Sequence, residues 1–121
     1  MTEDNIQSCV VQYLRGMLDG AIVHHSRNEG NRAGKKGMLD GVRGKRIGVV
    51  AGYPDLICHW RGLTFFVEVK RPKQYLTSAQ KELRGALEAQ GFPYFVARGI
   101  DDAVSIARAM KQMAELQKQA V

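Results

Sequence analysis

The segment Phe65-Phe66-Val67-Glu68-Val69-Lys70 limits what this chain can fold into more than any other. Phe65, Phe66, Val67 and Val69 make a run apolar enough to read as a central strand, yet it ends in a carboxylate and an ammonium. Side chains two apart on a strand share a face, so Glu68 and Lys70 point the same way while Val67 and Val69 point into packing. Burying charge is costly unless the charge is paired or coordinates a metal, so such a strand needs a polar site at its end.

A partner for that site lies just upstream. Asp55 follows Gly52-Tyr53-Pro54 and opens a second run to Trp60, and Arg61-Gly62 separates it from the run Leu63 to Lys70 as a hairpin turn. Counting outward from that turn puts Asp55 opposite about Glu68, and a slip of one residue would face it away. Taken singly, Asp55 is a turn residue after a proline, and Glu68 with Lys70 is an exposed ion pair. Taken together they form an oxygen-rich site suited to Mg²⁺ or Mn²⁺, which accept carboxylates, waters and phosphate oxygens. A cation there polarises a phosphoryl group and acidifies water, and Lys70 beside it orients or deprotonates the attacking water.

Around this hairpin, Ile6, Val10, Tyr13, Leu14, Met17 and Leu18 recur at helical spacing from Asp4 to Leu18, with Asp4 and Gln7 as a capping pair. Ala21 to Ser26 reads as a short strand. The glycine-rich stretch from Asn28 to Gly52 shows neither helical nor strand periodicity and reads as a long loop, commonly a functional one. Thr77-Ser78-Ala79-Gln80 is a capping box opening a helix whose apolar stripe is Ala79, Leu83, Ala86 and Leu87, with a stop at Gly91. Phe92 to Ala97 is a further strand. Asp101 and Asp102 open a last helix with Val104, Ala107, Met110 and Met113 inward and a polar end, Gln112 to Gln119, that frays. The order αβββαβα predicts an α/β fold, a mixed central sheet flanked by helices, in one domain over residues 1–121.

Charge narrows the class of partner. Of the net +6, five charges fall between Arg27 and Arg46, where Arg27, Arg32, Lys35, Lys36, Arg43, Lys45 and Arg46 meet two acids. Such a patch favours polyanions through counterion release. The segment lacks the large apolar residues of a membrane anchor, no stretch reaches the roughly 20 apolar residues of a bilayer span, and the start Met1-Thr2-Glu3-Asp4-Asn5 is unlike a signal peptide, so a soluble intracellular protein is expected, with no membrane partner. Arg71 and Lys73 extend the positive rim beyond Lys70. Tyr53 and Tyr75 flank the site, with packing the favoured role and DNA contact the alternative. Cys9 and Cys58 sit in apolar patterns as reduced thiols, and His24 and His25, adjacent on a strand, face opposite ways without zinc-ligand spacing.

Pro54-Asp55 followed by Glu68-Val69-Lys70 resembles the PD-(D/E)XK nuclease superfamily. More narrowly, the ordered set of Glu3, Asn28-Glu29 with Arg32, Gly48-Val49-Val50-Ala51-Gly52-Tyr53-Pro54-Asp55, Glu68-Val69-Lys70 and Gln80 is similar to the VRR-Nuc family across nearly the whole chain. The valine-arginine-arginine stretch that names that family has no clear counterpart; its neighbourhood reads Phe92-Pro93-Tyr94-Phe95-Val96-Ala97-Arg98 or Gly41-Val42-Arg43-Gly44. The resemblance implies a restriction-endonuclease-like core. It also implies that Asp55, Glu68 and the Val69 carbonyl bind the metal, with Glu3 as a further acid, that Lys70 is the catalytic lysine, and that Gln80 supports the site. It implies a phage or bacterial endonuclease that acts on branched DNA such as four-way junctions, works as a homodimer and leaves 5′-phosphate and 3′-hydroxyl ends. The alternatives are a DNA-binding module that keeps the fold without turnover, and a nuclease that trims ends.

Overall fold

A computed structural model describes residues 1–26 and 42–120. Helix α1 spans Glu3–Met17, strand β1 Ile22–His25, β2 Leu56–Trp60, β3 Leu63–Val69, helix α2 Ser78–Ala89, β4 Tyr94–Ala97 and α3 Ile100–Gln119. The strands form one sheet in the order β1-β2-β3-β4, antiparallel except for the parallel pair β3 and β4, which α2 connects. This is the mixed, helix-flanked α/β sheet expected from the sequence pattern.

The alternation along β3 sorts its side chains into two cores. Phe65, Val67 and Val69 join Leu56, Cys58, Trp60 and the buried faces of α1 and α3 in the larger core. Phe66 faces the other way, into a smaller core with Tyr94 and Leu87 under α2. Glu68 shares the parity of Phe66, so the α2 side of the sheet is the side that carries the charge. Arg61 (φ 50°) and Gly62 (φ 78°) are both left-handed, the pairing of a type I′ turn, whose twist matches that of β2 and β3. The Trp60 indole N–H donates to the Asp19 carbonyl at 2.9 Å and ties the hairpin end to the end of α1.

Several local expectations are corrected. Helix α1 is capped by Thr2, whose hydroxyl accepts from the Asn5 N–H at 3.1 Å, rather than by Asp4 and Gln7, because Asp4 already lies in the first turn. Met17 is exposed although its spacing matched the buried stripe. Within the stretch read as a loop, residues 42–46 are helical; five residues are too few to show a period. In α2, Leu87 is buried while Ala79 and Ala86 face solvent. In α3 Ala107 and Met110 are buried as expected, but Ala103 and Ile106 complete the buried face, while Val104 is half-buried and Met113 exposed. Helix α3 runs to Gln119 without a break at Gln112. Among the described residues no helix is long and apolar enough to cross a membrane.

Candidate active site

Strand β2 begins at Leu56 and β3 ends at Val69, so Asp55 and Lys70 stand one residue beyond the strands in which they were expected. The register nonetheless favours the site. Leu56 pairs with Val67, and continuing that antiparallel ladder by one step sets Asp55 across from Glu68, on the same face. Asp55 is held from both sides: its Oδ2 accepts the Val69 N–H at 2.8 Å, and its carbonyl accepts the Ser26 N–H at 2.8 Å. The Lys70 N–H donates to the Ala97 carbonyl at 3.0 Å and extends the parallel ladder to β4. Asp55, Glu68 and Lys70 therefore converge at the C-terminal end of β3.

Glu68 is 2% exposed, the one buried charged side chain among the described residues. Its Oε2 accepts from the Gln80 side-chain amide at 3.2 Å. Burial first, then the hydrogen-bonded Asp55 carboxyl and its charge, push the Glu68 pKa up to about 9; Lys70 opposes the rise, and the charge of Glu3 adds to it. Two acids crowded into a desolvated site lack positive charge, which is the condition a bound cation relieves. Their hard oxygen donors fit Mg²⁺ or Mn²⁺, which need no more than one or two carboxylates from the protein, and no set of three acid, histidine or cysteine side chains gathers for a metal among the described residues.

Gln80 makes the capping box read for it and also touches Glu68. Its Oε1 accepts the Thr77 N–H at 2.9 Å while Thr77 Oγ1 accepts the Gln80 N–H at 3.2 Å, completing the capping box, and the remaining amide hydrogen reaches Glu68. The cap thus orients a glutamine into the site. Glu3 lies in the exposed first turn of α1, near enough for its charge to act on Glu68. Arg71 and Lys73 are exposed on the loop after Lys70, and Arg43, Lys45 and Arg46 are exposed around the short helical turn. Arg27, Arg32, Lys35 and Lys36, with Asn28 and Glu29, lie outside the described residues. Cys58 faces the larger core on the other side of the sheet, and burial pushes its thiol up to about 12.

The approach to Asp55 depends on Gly52. Its φ of +74° is left-handed, and a Cβ there would stand 2.7 Å from the Ala79 carbonyl carbon and 2.9 Å from the Gln80 nitrogen. Gly52→Ala is therefore expected to lower stability by about 1–3 kcal/mol in denaturant unfolding and to push the start of α2, with Gln80, away from Glu68. Unchanged unfolding would show that this approach is not tight.

Two tyrosines depart from the sequence reading. Tyr53 packs as expected, edge-on to Phe66 at 5.8 Å, but Tyr75 is 79% exposed and packs on no core. Tyr94, which the sequence marks only as part of a strand, is 4% exposed, pairs with Phe66 across the β3–β4 ladder, and its hydroxyl has no hydrogen-bond partner among the described residues. Burial and the nearby charge of Glu68 hold that phenol protonated. The signal was a polar tip inside an apolar strand, and it becomes informative only once the pairing puts Tyr94 two residues from Glu68 on the same face.

No protein-family model matches the chain, and no curated protein matches it. Solved structures do match. One, described as a "VRR_NUC domain protein", is 28% identical over 90% of this chain and 87% of its own, with a TM-score of 0.66. Another, described as "VRR_NUC domain", is 19% identical over 88% of this chain and 94% of its own, with a TM-score of 0.62.

Proposed function

From the VRR-Nuc fold that this chain adopts, we propose a divalent-metal-dependent endonuclease that hydrolyses DNA phosphodiester bonds at Asp55, Glu68 and Lys70. The observation that carries this reading is the buried Glu68 set beside Asp55, with Lys70 at the same strand end and Gln80 fixing one carboxylate oxygen. Asp55, Glu68 and the Val69 carbonyl are the groups that would hold Mg²⁺ or Mn²⁺, with Glu3 as an outer acid. When bound, the cation supplies Lewis acidity toward the phosphodiester.

The chain's own groups then have separate work. Gln80 holds the Glu68 carboxylate in one orientation, and the Val69 N–H does the same for Asp55, so neither side chain has to be ordered during reaction. Lys70 orients water for in-line attack and offsets charge that builds on the phosphate oxygens. The water oxygen bonds to phosphorus as the bond to the 3′-oxygen breaks, leaving a 5′-phosphate and a 3′-hydroxyl. The exposed bases Arg71, Lys73, Arg43, Lys45 and Arg46, together with Arg27, Arg32, Lys35 and Lys36, contact backbone phosphates and position the duplex without reading sequence. Branched DNA such as a four-way junction is the proposed substrate, and cutting its two strands calls for two copies of the site, hence a symmetric homodimer.

Four-way junctions, flaps, linear duplex and single strands incubated with Mg²⁺, with Mn²⁺ and with chelator test the proposal. Cleavage that needs the metal and is fastest on branched DNA is expected. Binding to the same substrates with no metal-dependent cut in any of them would favour a DNA-binding module without turnover.

A further inference from the structure

Among the described residues β4 is an edge of the sheet, and along it α2 and α3 leave a cleft of about 540 Å³. Tyr94 lines it from β4 and Arg98 from that strand's end, Lys81 and Arg84 from α2, Ser105 from α3, and the exposed Tyr75 from the loop before α2. The cleft is cationic in a particular way. Asp102 also lines it, but its Oδ2 is taken by the Arg98 backbone N–H at 2.7 Å. Arg84 is shared between Glu88 at 3.3 Å and the Tyr94 ring, 5.1 Å below its guanidinium. Arg98 is fixed by the Gln74 carbonyl at 2.7 Å, a neutral partner, and pairs with no carboxylate among the described residues, and Lys81 is exposed.

The cleft lies beside the candidate active site, although Asp55, Glu68, Lys70 and Gln80 do not line it. Val69 pairs with Ala97, so Arg98 follows β4 where Lys70 follows β3, one strand spacing of roughly 4.8 Å away. On α2, Lys81 follows Gln80, whose amide holds Glu68. Positive charge therefore stands at the ends of β3 and β4, on Lys70 and Arg98, and on Lys81 across the cleft, which the exposed Tyr75 also lines.

We propose that this cleft holds unpaired nucleotides of the strand being cut, with a base stacked on Tyr75 and backbone phosphates against Arg98 and Lys81. The proposal rests on the nuclease reading and narrows its substrate. A cationic groove with an exposed aromatic ring is the arrangement that takes single strands, because the ring needs a free base face and a duplex hides its base faces in the stack. The volume is that of a small-ligand site, too small to admit a double helix. DNA with an unpaired stretch beside the cut, as at a flap, fork or open junction, then gains contacts that a blunt duplex does not.

The test is equilibrium binding to the full chain with chelator present, so that no strand is cut, using a fluorescent oligothymidylate and a fluorescent blunt hairpin duplex. Tyr75→Ala is expected to weaken oligothymidylate binding about tenfold and to leave hairpin binding unchanged, with Tyr75→Phe restoring the affinity. Because Tyr75 packs on no core, circular dichroism of both variants should match the parent. Oligothymidylate binding that ignores Tyr75, or an equal loss on both probes, overturns the proposal. Cleavage with Mg²⁺ is measured separately. An inactive parent with Tyr75-dependent binding sinks the catalytic reading and keeps the cleft, and an active parent whose binding ignores Tyr75 does the reverse.

Discussion

Lys70→Ala is expected to slow DNA cleavage by about 10³-fold or more while DNA affinity changes little. A positioned ammonium that both orders the nucleophile and meets the developing charge combines two effects, each worth roughly 10²–10⁴-fold. The fold should survive the change, since Lys70 joins the sheet through its backbone N–H to Ala97 and its side chain is only half-buried. Single-turnover cleavage at saturating enzyme, read beside binding in chelator, separates chemistry from affinity. Cleavage at the parent rate would remove Lys70 from the reaction. Lost affinity with unchanged single-turnover chemistry would reduce it to a phosphate contact, the role proposed for Arg71.

Glu68→Gln is expected to do two opposite things: abolish metal-dependent cleavage and stabilise the metal-free protein in alkaline solution. Glu68 holds its proton up to about pH 9 when folded, against an ordinary value of 4.5. Between those values the folded state is the more protonated one, so raising the pH favours unfolding, by up to about 1.4 kcal/mol per pH unit. A glutamine keeps an oxygen for the Gln80 amide and carries no charge to desolvate, so the variant should lose that slope. In chelator, the parent is expected to lose stability from pH 5 to 8 and the variant to hold it, giving the variant an advantage of a few kcal/mol at pH 8 by denaturant unfolding. Added Mn²⁺ should raise the parent's midpoint and leave the variant's unmoved, because ligand that binds only the folded state stabilises it. Parallel pH profiles for the two proteins would mean that Glu68 is not the strained acid its burial implies.

The carboxylate pair was legible in the sequence because a two-residue turn fixes parity. Once Arg61-Gly62 is the turn, Asp55 and Glu68 fall opposite each other, and the continued ladder from Leu56 and Val67 bears that out. The element order was legible for the same kind of reason, since each long element carries its own period. The errors fall where period is weak. Residues 42–46 span little more than one helical turn, and in α3 the stripe through Ala107 and Met110 continues to Ala103 and Ile106 rather than to Val104 and Met113. Tyr75 and Tyr94 were beyond reach in another way. Whether an aromatic packs or projects depends on the neighbour opposite, and Tyr94 acquires its meaning from Phe66, which lies 28 positions earlier in the chain. Sequence spacing shows what shares an element; the cleft beside β4 exists only between elements.

The central claim is that Asp55 and Glu68 jointly hold a divalent cation at the end of β3. Crystals of the protein grown with Mn²⁺ and measured at the manganese absorption edge address it directly. The account predicts an anomalous peak within coordinating distance of carboxylate oxygens from both residues, beside Lys70. Well-ordered Asp55 and Glu68 side chains with no peak between them, and manganese bound at other groups instead, would contradict it.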